Sequence, residues 1–501
     1  MSIYGEFFTK FLGPFFEGLA NVFKGMLQGL MQMFNVINYV EIINEYSKEM
    51  KGFGLVILIF SIVFLLIMFA IMFFFIAKVI RTFLKYRRNV KRQDLLIEEI
   101  ETLNNDIIKL KKQNERMAEL TNENGEIELD EEGNPINRLK EGESRFFKLT
   151  NVDRKFAEYV PEEIVNDFTL EEFCQKFRNY AASKLGLYYD MNIIRLFIAS
   201  LSSNKLIILE GISGTGKTSL AYAFGSLLAN ETTVASVQPS WRDSTEIFGY
   251  FNEFTKKFNE TEILTKMYEA QYTDEIYITL LDEMNISRVE YYFAEMLSIL
   301  ELPNKSDWVV ELVPNVWEND PVKLEEGKLK IPENMWYIGT INNDDSTFMI
   351  TDKVYDRAMP IAIDDKYAQF EAPETEAFKV SYNYLDSLFK DASVKYAVSE
   401  ETLNKIAEID RYVIDHFRLA FGNRIVKQLK EFVPAFVACG GKEVTAVDYL
   451  IAHKILRKFE QLNLAYIKDE IDGFIKFLET QFGADNIPEC KAFLLRLKKT
   501  I

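Results

Sequence analysis

A glycine-rich segment near the middle of the chain has the residue types and spacing needed to hold a phosphate. In order, its residues are Gly211, Ile212, Ser213, Gly214, Thr215, Gly216, Lys217, Thr218 and Ser219. An apolar run at 206–209 precedes it and a helix-like run at 219–224 follows. A strand that feeds a glycine turn into a helix N-terminus directs several backbone N–H groups at one point. The segment therefore predicts a P-loop, in which Lys217 reaches the β- and γ-phosphates and the Thr218 hydroxyl ligates Mg²⁺.

Two adjacent carboxylates end a second apolar run. Asp282 and Glu283 directly follow residues 276–281. If 276–281 is a strand parallel to the one before the P-loop, both carboxylates lie at the edge of the sheet where the P-loop lies. Asp282 would then hold Mg²⁺ through water, and Glu283 would orient or deprotonate the attacking water. The pair predicts hydrolysis of a nucleoside triphosphate as well as binding.

The pattern of the C-terminal two thirds predicts an α/β fold. Five short apolar runs read as strands, at 205–209, 233–237, 276–281, 335–341 and 359–363. Helix-like segments separate these runs, which implies a parallel sheet covered on both faces. We expect a helical lead-in at 146–204, a nucleotide-binding core at 205–365, and a helical lid with C-terminal helices at 366–501.

Short segments around these strands resemble a known family of ATPases. The P-loop, Asp282–Glu283, the strand end 339–342 and the pair Asp356–Arg357 together resemble an AAA+ module. Three further segments are similar to the branch that contains McrB-type restriction NTPases and MoxR-like and dynein-like ATPases, namely 238–243, 282–290 and 353–358. The resemblance covers about residues 190 to 458. It implies an AAA+ P-loop NTPase, an αβα sandwich with a C-terminal helical lid.

The resemblance also implies roles for three residues outside the P-loop. Asn342 would be the sensor residue that helps to hold the attacking water, and Arg357 would be the arginine finger that enters the neighbouring subunit's site. Arg424 matches the sensor arginine of the lid domain. Such modules assemble as rings, often hexameric, with nucleotide between neighbours, so a homo-oligomeric ring is implied.

One departure from the family's pattern bears on the choice of nucleotide. McrB-type GTPases carry Met-Asn-x-x-Asp-Arg at the sensor strand, whereas this chain has Ser346 in place of the arginine. ATP with Mg²⁺ is therefore the expected nucleotide, and GTP is the alternative. Trp241 and Arg242 are candidates to face a substrate or the ring pore, and a core position for Trp241 is the alternative.

Composition limits the classes of partner. The formal net charge is −18, which argues against broad coating of nucleic acid and leaves a local basic pore open. The chain has three scattered cysteines and two histidines, which fits a reducing cytoplasm better than a disulfide framework or a zinc site. Because no nuclease constellation is visible, cleavage of DNA would need a separate partner.

Residues 53–77 predict a membrane span. They carry no charged side chain, and at about 1.5 Å per residue a helix of this length crosses a hydrocarbon core of about 30 Å. Basic residues follow directly, at Lys78, Arg81, Lys85, Arg87, Arg88, Lys91 and Arg92. The positive-inside rule then places the AAA+ domain in the cytoplasm and the N-terminus outside a bacterial inner or cell membrane, with the span in contact with lipid.

Three segments flank this span. Residues 1–50 carry a Phe-rich apolar stripe that favours an interfacial helix, with oligomer packing or a second membrane-embedded element as alternatives. Residues 78–120 combine the basic stretch with a heptad seam that favours a self-associating coiled-coil stalk over a single solvated helix. Residues 121–145 are rich in Asn, Gly and Glu and predict an acidic linker.

Three functions are compatible with these features. The first is a membrane-anchored AAA+ NTPase that drives a partner encoded nearby, such as a nuclease, in bacterial defence against phage or foreign DNA. The second is a MoxR-like chaperone that remodels protein complexes at the membrane. The third is a nucleotide-gated, non-catalytic oligomerisation switch with a membrane effector segment. The intact Lys217, Asp282, Glu283 and Arg357 favour an active enzyme over the third, and the first is preferred.

Overall fold

The computed structural model describes one long stretch with small gaps and a shorter helical stretch. The described residues are 35–48, a few isolated positions between 24 and 78, Leu139, and 142–501 without 161–163, 254, 343–346, 366, 463 and 501. The chain divides into two compact units, Met1–Pro135 and Ile136–Ile501.

In the first unit the described helix is α1, Val36–Ser47. The predicted span at 53–77, the stalk at 78–120 and most of the linker at 121–145 lie outside the described residues, apart from isolated positions. In the part of the chain that the structure describes, none of the helices combines the length and apolarity that crossing a bilayer needs.

The described residues of the second unit form ten strands, and five of these make up its central sheet. In chain order the strands are β1 Leu206–Gly211, β2 Thr233–Ser236, β3 Gly249–Asn252, β4 Lys257–Glu260, β5 Tyr277–Asp282, β6 Val309–Glu311, β7 Leu324–Glu325, β8 Lys328–Lys330, β9 Met335–Asn342 and β10 Ala358–Ala362. The central sheet has the order β10-β1-β9-β5-β2, and each neighbouring pair runs parallel. The predicted parallel sheet is confirmed, with each of the five predicted strands present.

Helices surround this sheet and make up most of the C-terminal region. They are α2 Phe147–Phe156, α3 Leu170–Leu185, α4 Met191–Ser203, α5 Lys217–Leu227, α6 Thr245–Phe248, α7 Glu262–Glu269, α8 Val289–Tyr292, α9 Ala294–Ile299, α10 Asp352–Tyr355, α11 Tyr382–Lys395, α12 Glu400–Phe417, α13 Asn423–Ala438, α14 Glu443–Leu450, α15 Leu464–Phe482 and α16 Pro488–Thr500. A π-helical turn, Ile451–Ile455, and a 3₁₀ segment, Leu456–Gln461, follow α14. The predicted helical C-terminal region is confirmed, although the described residues between β10 and Ser381 form no helix.

The sheet is packed on both faces. Alternate residues of each strand point to opposite faces, so each strand contributes to two cores. Ile207 and Leu209 of β1 belong to a core shared with α3–α5 and α11–α16. Leu206 and Ile208 of the same strand belong to a second core with α2 and α7–α9. The central strands are buried on both sides, so their sequences are almost continuously apolar and are recognisable as parallel strands.

Two small antiparallel sheets were not predicted. β3 and β4 form a hairpin, and β6, β8 and β7 form a three-stranded sheet. These strands are two to four residues long and contain polar or charged residues, so they lack the apolar runs that reveal the central strands. Trp241 is buried and packs edge-on against Tyr292, with 5.2 Å between ring centroids, so it occupies a core position.

Arg145 ties the start of the second unit to the three-stranded sheet. Its guanidinium is buried and makes a bidentate ion pair with Asp320, with Nε–Oδ1 2.9 Å and Nη2–Oδ2 2.8 Å. It also stacks over Trp317, with 4.5 Å from the guanidinium carbon to the ring centroid, and donates to the Asn315 carbonyl. The structure thus places the last residue of the predicted linker inside the folded unit.

Arg145→Met is expected to lower the free energy of unfolding by about 3–5 kcal/mol, because it leaves the buried Asp320 carboxylate without its partner. Chemical denaturation of the purified chain measures this loss. The matched control, Arg145→Met combined with Asp320→Leu, removes both charges and should recover most of it. A single variant as stable as the parent would contradict the buried pair.

Candidate functional site

The sheet order brings three of the predicted site segments to one edge. β1 lies beside β9, with Gly211 opposite Asn342 in the register. On its other side β9 pairs with β5, where Leu281 lies opposite Gly339. Since the strands are parallel, their carboxyl ends meet at this edge. The P-loop, Asp282 with Glu283, and Asn342 are therefore neighbours.

The P-loop connects the end of β1 to the start of α5, and two of its glycines are structurally required. Gly211 has φ +143°, and a Cβ there would lie 2.3 Å from the Ile363 carbonyl oxygen. Gly216 has φ +92°, and its carbonyl accepts a hydrogen bond of 2.9 Å from the Tyr189 hydroxyl. Between them, Ile212, Ser213 and Gly214 are exposed at the tip of the loop.

Lys217 is folded back onto the loop that it follows. Its Nζ is buried and donates to the carbonyls of Gly211 at 3.0 Å and Ile212 at 2.7 Å. Burial lowers the pKa of Lys217, while the charges of Asp364 and Asp282 act in the opposite direction. An ammonium held against two carbonyls of the loop lies where it can neutralise a phosphate bound in that loop.

Asp282 accepts hydrogen bonds from two threonines. Its Oδ1 is 2.8 Å from the Thr218 hydroxyl of the P-loop and 2.7 Å from the Thr340 hydroxyl of β9. A carboxylate and an exposed hydroxyl are the hard oxygen donors that suit Mg²⁺ when substrate phosphates supply further ligands. Among the residues that the structure describes, no cluster of three His, Cys, Asp or Glu could hold a metal by itself. The donor set therefore fits a metal that arrives with a nucleotide.

Thr340 also orients Glu283, and it is a site residue that sequence reasoning missed. Its hydroxyl oxygen accepts from the Glu283 backbone N–H at 2.8 Å. Glu283 has φ +52°, the left-handed conformation, which for a residue other than glycine costs about 1–2 kcal/mol. Strained backbone that its neighbours hold in place is concentrated at functional sites. The signal in the sequence was a threonine within an otherwise apolar central strand.

Asn342 ends β9, and its backbone carbonyl accepts from the Asn285 side chain at 3.0 Å. Asn285 is buried and also donates to the Thr347 hydroxyl at 2.9 Å, so it connects the turn after Glu283 to the loop after β9. Asn285 was not predicted. Residues 343–346, which include Ser346, lie outside the described residues.

Arg357 and Arg424 lie together, but at the opposite edge of the sheet. Arg357 immediately precedes β10, whose first residue pairs with Leu206, the first residue of β1. A six-residue strand spans about 20 Å, and this length separates Arg357 from the P-loop of the same chain. Both arginines contact Glu301, with Arg357 Nη2–Oε2 2.8 Å and Arg424 Nη2–Oε1 2.5 Å.

Side chains from three helical segments fix the backbone around Arg357. Lys454 Nζ donates to the carbonyls of Tyr355 at 2.6 Å and Ala358 at 2.7 Å. Gln428 donates to the Asp356 carbonyl at 3.1 Å, and Asn204 donates to the Arg357 carbonyl at 3.0 Å. Four consecutive carbonyls are thus held by side chains, which makes this segment a rigid base for the arginine.

A buried cluster beside the P-loop was also not predicted. Glu210, directly before Gly211, accepts from Arg457 Nη1 at 2.6 Å and from the Tyr355 hydroxyl at 3.1 Å. His453 lies 3.7 Å from Glu210. Burial alone would raise the pKa of Glu210, but the neighbouring His453 ring and the charge of Arg457 outweigh it and lower the pKa to about 2. Arg457 and Asn342 line a common cavity of about 550 Å³.

Comparison with known proteins gives one informative similarity. The chain is 24% identical over 232 residues to the type IV methyl-directed restriction enzyme EcoKMcrB subunit of Escherichia coli K12. The similarity supports a McrB-like AAA+ relationship. The matched region is 44% of this chain and 48% of the relative, so the chain spans about half the length of the relative. No family model matches the sequence. The parallel sheet and the similarity together fit a P-loop NTPase fold.

Lys454 gives a pH-dependent prediction, because burial lowers its pKa to about 7. An unfolded lysine has a pKa of about 10.4. Between these values the unfolded chain binds more protons, so this lysine makes the free energy of unfolding rise with pH, by up to about 1.4 kcal/mol per unit. Lys454→Met should lose that rise above about pH 7 in denaturation curves. Lys427→Met, a change at an exposed lysine, should keep the rise. If the free energy of unfolding depends on pH in the same way in the parent and in Lys454→Met, the prediction is contradicted.

Proposed function

We propose that this chain is a membrane-anchored NTPase that hydrolyses ATP in an oligomeric ring and drives a partner in bacterial defence against phage or foreign DNA. GTP is the alternative nucleotide. The observation that carries the proposal is the junction at Asp282, where the P-loop hydroxyl of Thr218, the strand end of β5 and Thr340 of β9 meet within hydrogen-bond distance. A chance glycine loop has no reason to meet a carboxylate in this way.

The residues around this junction would divide the tasks of phosphoryl transfer. The P-loop N–H groups and Lys217 bind the β- and γ-phosphates, and Glu283 orients or deprotonates the attacking water. Asn342 helps to hold that water. Thr218 and Asp282 would hold Mg²⁺, which when bound supplies positive charge to the phosphate oxygens. Donors that are held in place before the reaction are the main source of electrostatic stabilisation in sites of this kind.

A ring follows from the position of Arg357. Because it lies about 20 Å from its own P-loop, it can stabilise a transition state only in a neighbouring copy. Head-to-tail contacts of this type close into rings, and hexamers are the expected size. The similarity to a restriction-enzyme subunit supports a role in defence and a partner, such as a nuclease, that performs cleavage.

The membrane part of the proposal rests on the sequence of residues 53–77 and the basic residues after it. In this arrangement the protein is single-pass, with the N-terminus outside and the NTPase in the cytoplasm. Residues 1–50 and the stalk at 78–120 would then contact lipid and neighbouring copies.

Glu283→Gln is expected to lower turnover by about 10²–10⁴-fold, since the amide cannot accept the proton of the attacking water. Steady-state phosphate release with ATP and with GTP measures the loss, and filter binding of labelled nucleotide should show that affinity is retained. Glu290→Gln is the matched control, a carboxylate change on α8 that should leave turnover unchanged. Wild-type turnover by the Glu283 variant would refute the assigned role.

Arg357→Ala and Lys217→Ala are each expected to abolish turnover, whereas a mixture should recover activity. In a mixed ring about a quarter of the interfaces join an intact P-loop to an intact arginine. Titration of one variant against the other, followed by phosphate release, measures the recovery. Absence of recovery at every ratio would contradict the composite site.

A further inference from the structure

A charged cavity of about 780 Å³ opens at the amino edge of the sheet, beside Arg357. Its charged lining residues are Lys205, Lys305, Lys390, Lys427, Arg357, Arg424, Glu301, Asp386 and Glu431. Several of the lysines are already paired: Lys205 donates to the Glu333 carbonyl, and Lys305 lies 2.8 Å from the Glu333 carboxylate. The two arginines are instead directed at a single carboxylate, that of Glu301.

The contact between these three residues leaves donors and acceptors unused. Arg357 Nη2 lies 2.8 Å from Glu301 Oε2, but Arg357 Nε and Nη1 are buried without a hydrogen-bond partner among the described residues. Arg424 Nη2 is 2.5 Å from Oε1, yet Oε1 makes no hydrogen bond of good geometry. Two guanidinium groups therefore face one singly charged, two-oxygen group. A terminal phosphate, with three oxygens and more charge, matches this set of donors better.

The two sides of the contact differ in how firmly they are held. The carbonyls of residues 355–358 are fixed by Lys454, Gln428 and Asn204. Glu301 lies in the turn just after α9, and its side chain is 23% exposed. Because Glu301 lies on a half-buried turn after a six-residue helix, its carboxylate can move away more readily than the base of Arg357 can.

We propose that Glu301 is an internal anion that occupies, in the isolated subunit, the place taken in the ring by the terminal phosphate of the neighbouring copy's nucleotide. Arg424 then belongs with Arg357 to the neighbour's site, not to that of its own chain. This inference rests on the proposed function and extends it: the amino edge of the sheet is the surface that receives the second copy. Assembly must displace Glu301 from the two arginines. This displacement costs free energy and opposes assembly unless a triphosphate is present to take the place of Glu301.

Association of subunits tests the role of Glu301. The experiment uses the full chain with Glu283→Gln, which prevents turnover. In this background and with Mg·ATP present, Glu301→Gln should lower the protein concentration at which half of the subunits are assembled by on the order of tenfold. This is the size expected for loss of a charge-assisted contact. Sedimentation velocity or mass photometry measures this midpoint. Glu431→Gln is the matched control in the same cavity and should leave it unchanged. An unchanged or higher midpoint for a Glu301 variant that melts like the parent would overturn the proposal.

Mixing experiments test Arg424 independently. Because the Arg424 side chain is exposed, we expect the Arg424→Ala variant to fold like the parent. Arg424→Ala mixed with Lys217→Ala should recover turnover, because the intact P-loops then face intact Arg424 side chains of neighbours. If Arg424 serves its own subunit, no mixture recovers activity, and the inference fails. That outcome differs from failure of the proposed function, in which the parent chain itself neither hydrolyses nor assembles with nucleotide.

Discussion

The common direction of the five central strands is the constraint on which the other features depend. Since each neighbouring pair is parallel, every residue that follows a strand lies at one edge and every residue that precedes a strand lies at the other. The P-loop, Glu283 and Asn342 follow their strands, whereas Arg357 precedes β10. The P-loop and Arg357 are therefore at opposite edges of the sheet in one subunit, and in the proposed ring contact between copies brings them together.

At the edge of the sheet that holds the P-loop, the pairing of β5 with β9 brings Asp282 and Glu283 to Thr340. Thr340 of β9 donates to Asp282 and accepts from the backbone of Glu283. One hydroxyl thus holds the Asp282 carboxylate and stabilises the left-handed backbone of the next residue. The strained backbone at Glu283 persists because the pairing of β5 with β9 and the bond to Thr340 hold it.

The parts of this site that depend on local residue order could be predicted from the sequence. The P-loop and the five strands have short-range signatures, and the parallel arrangement then placed Asp282 beside Thr218. The contacts that were missed join residues far apart in the chain, such as Thr340 with Glu283 and Arg457 with Glu210. Periodicity carries no information on which distant side chains meet. Arg424 and Glu301 illustrate the same limit. The resemblance to the family suggested a role for Arg424, but it did not indicate the contact with Glu301.

The cluster around Glu210 connects the two edges that the sheet separates. Glu210 immediately precedes the P-loop and accepts a hydrogen bond from the Tyr355 hydroxyl. Tyr355 lies two residues before Arg357. Arg457 binds both, and Lys454 from the same helical region holds the carbonyls around Arg357. Separating a buried charge from its partner costs several kcal/mol, so this cluster resists opening. The helical region, the base of the P-loop and the segment that carries Arg357 are therefore held together, and in the proposed ring this cluster would link the phosphate site of one subunit to the arginine that faces the next.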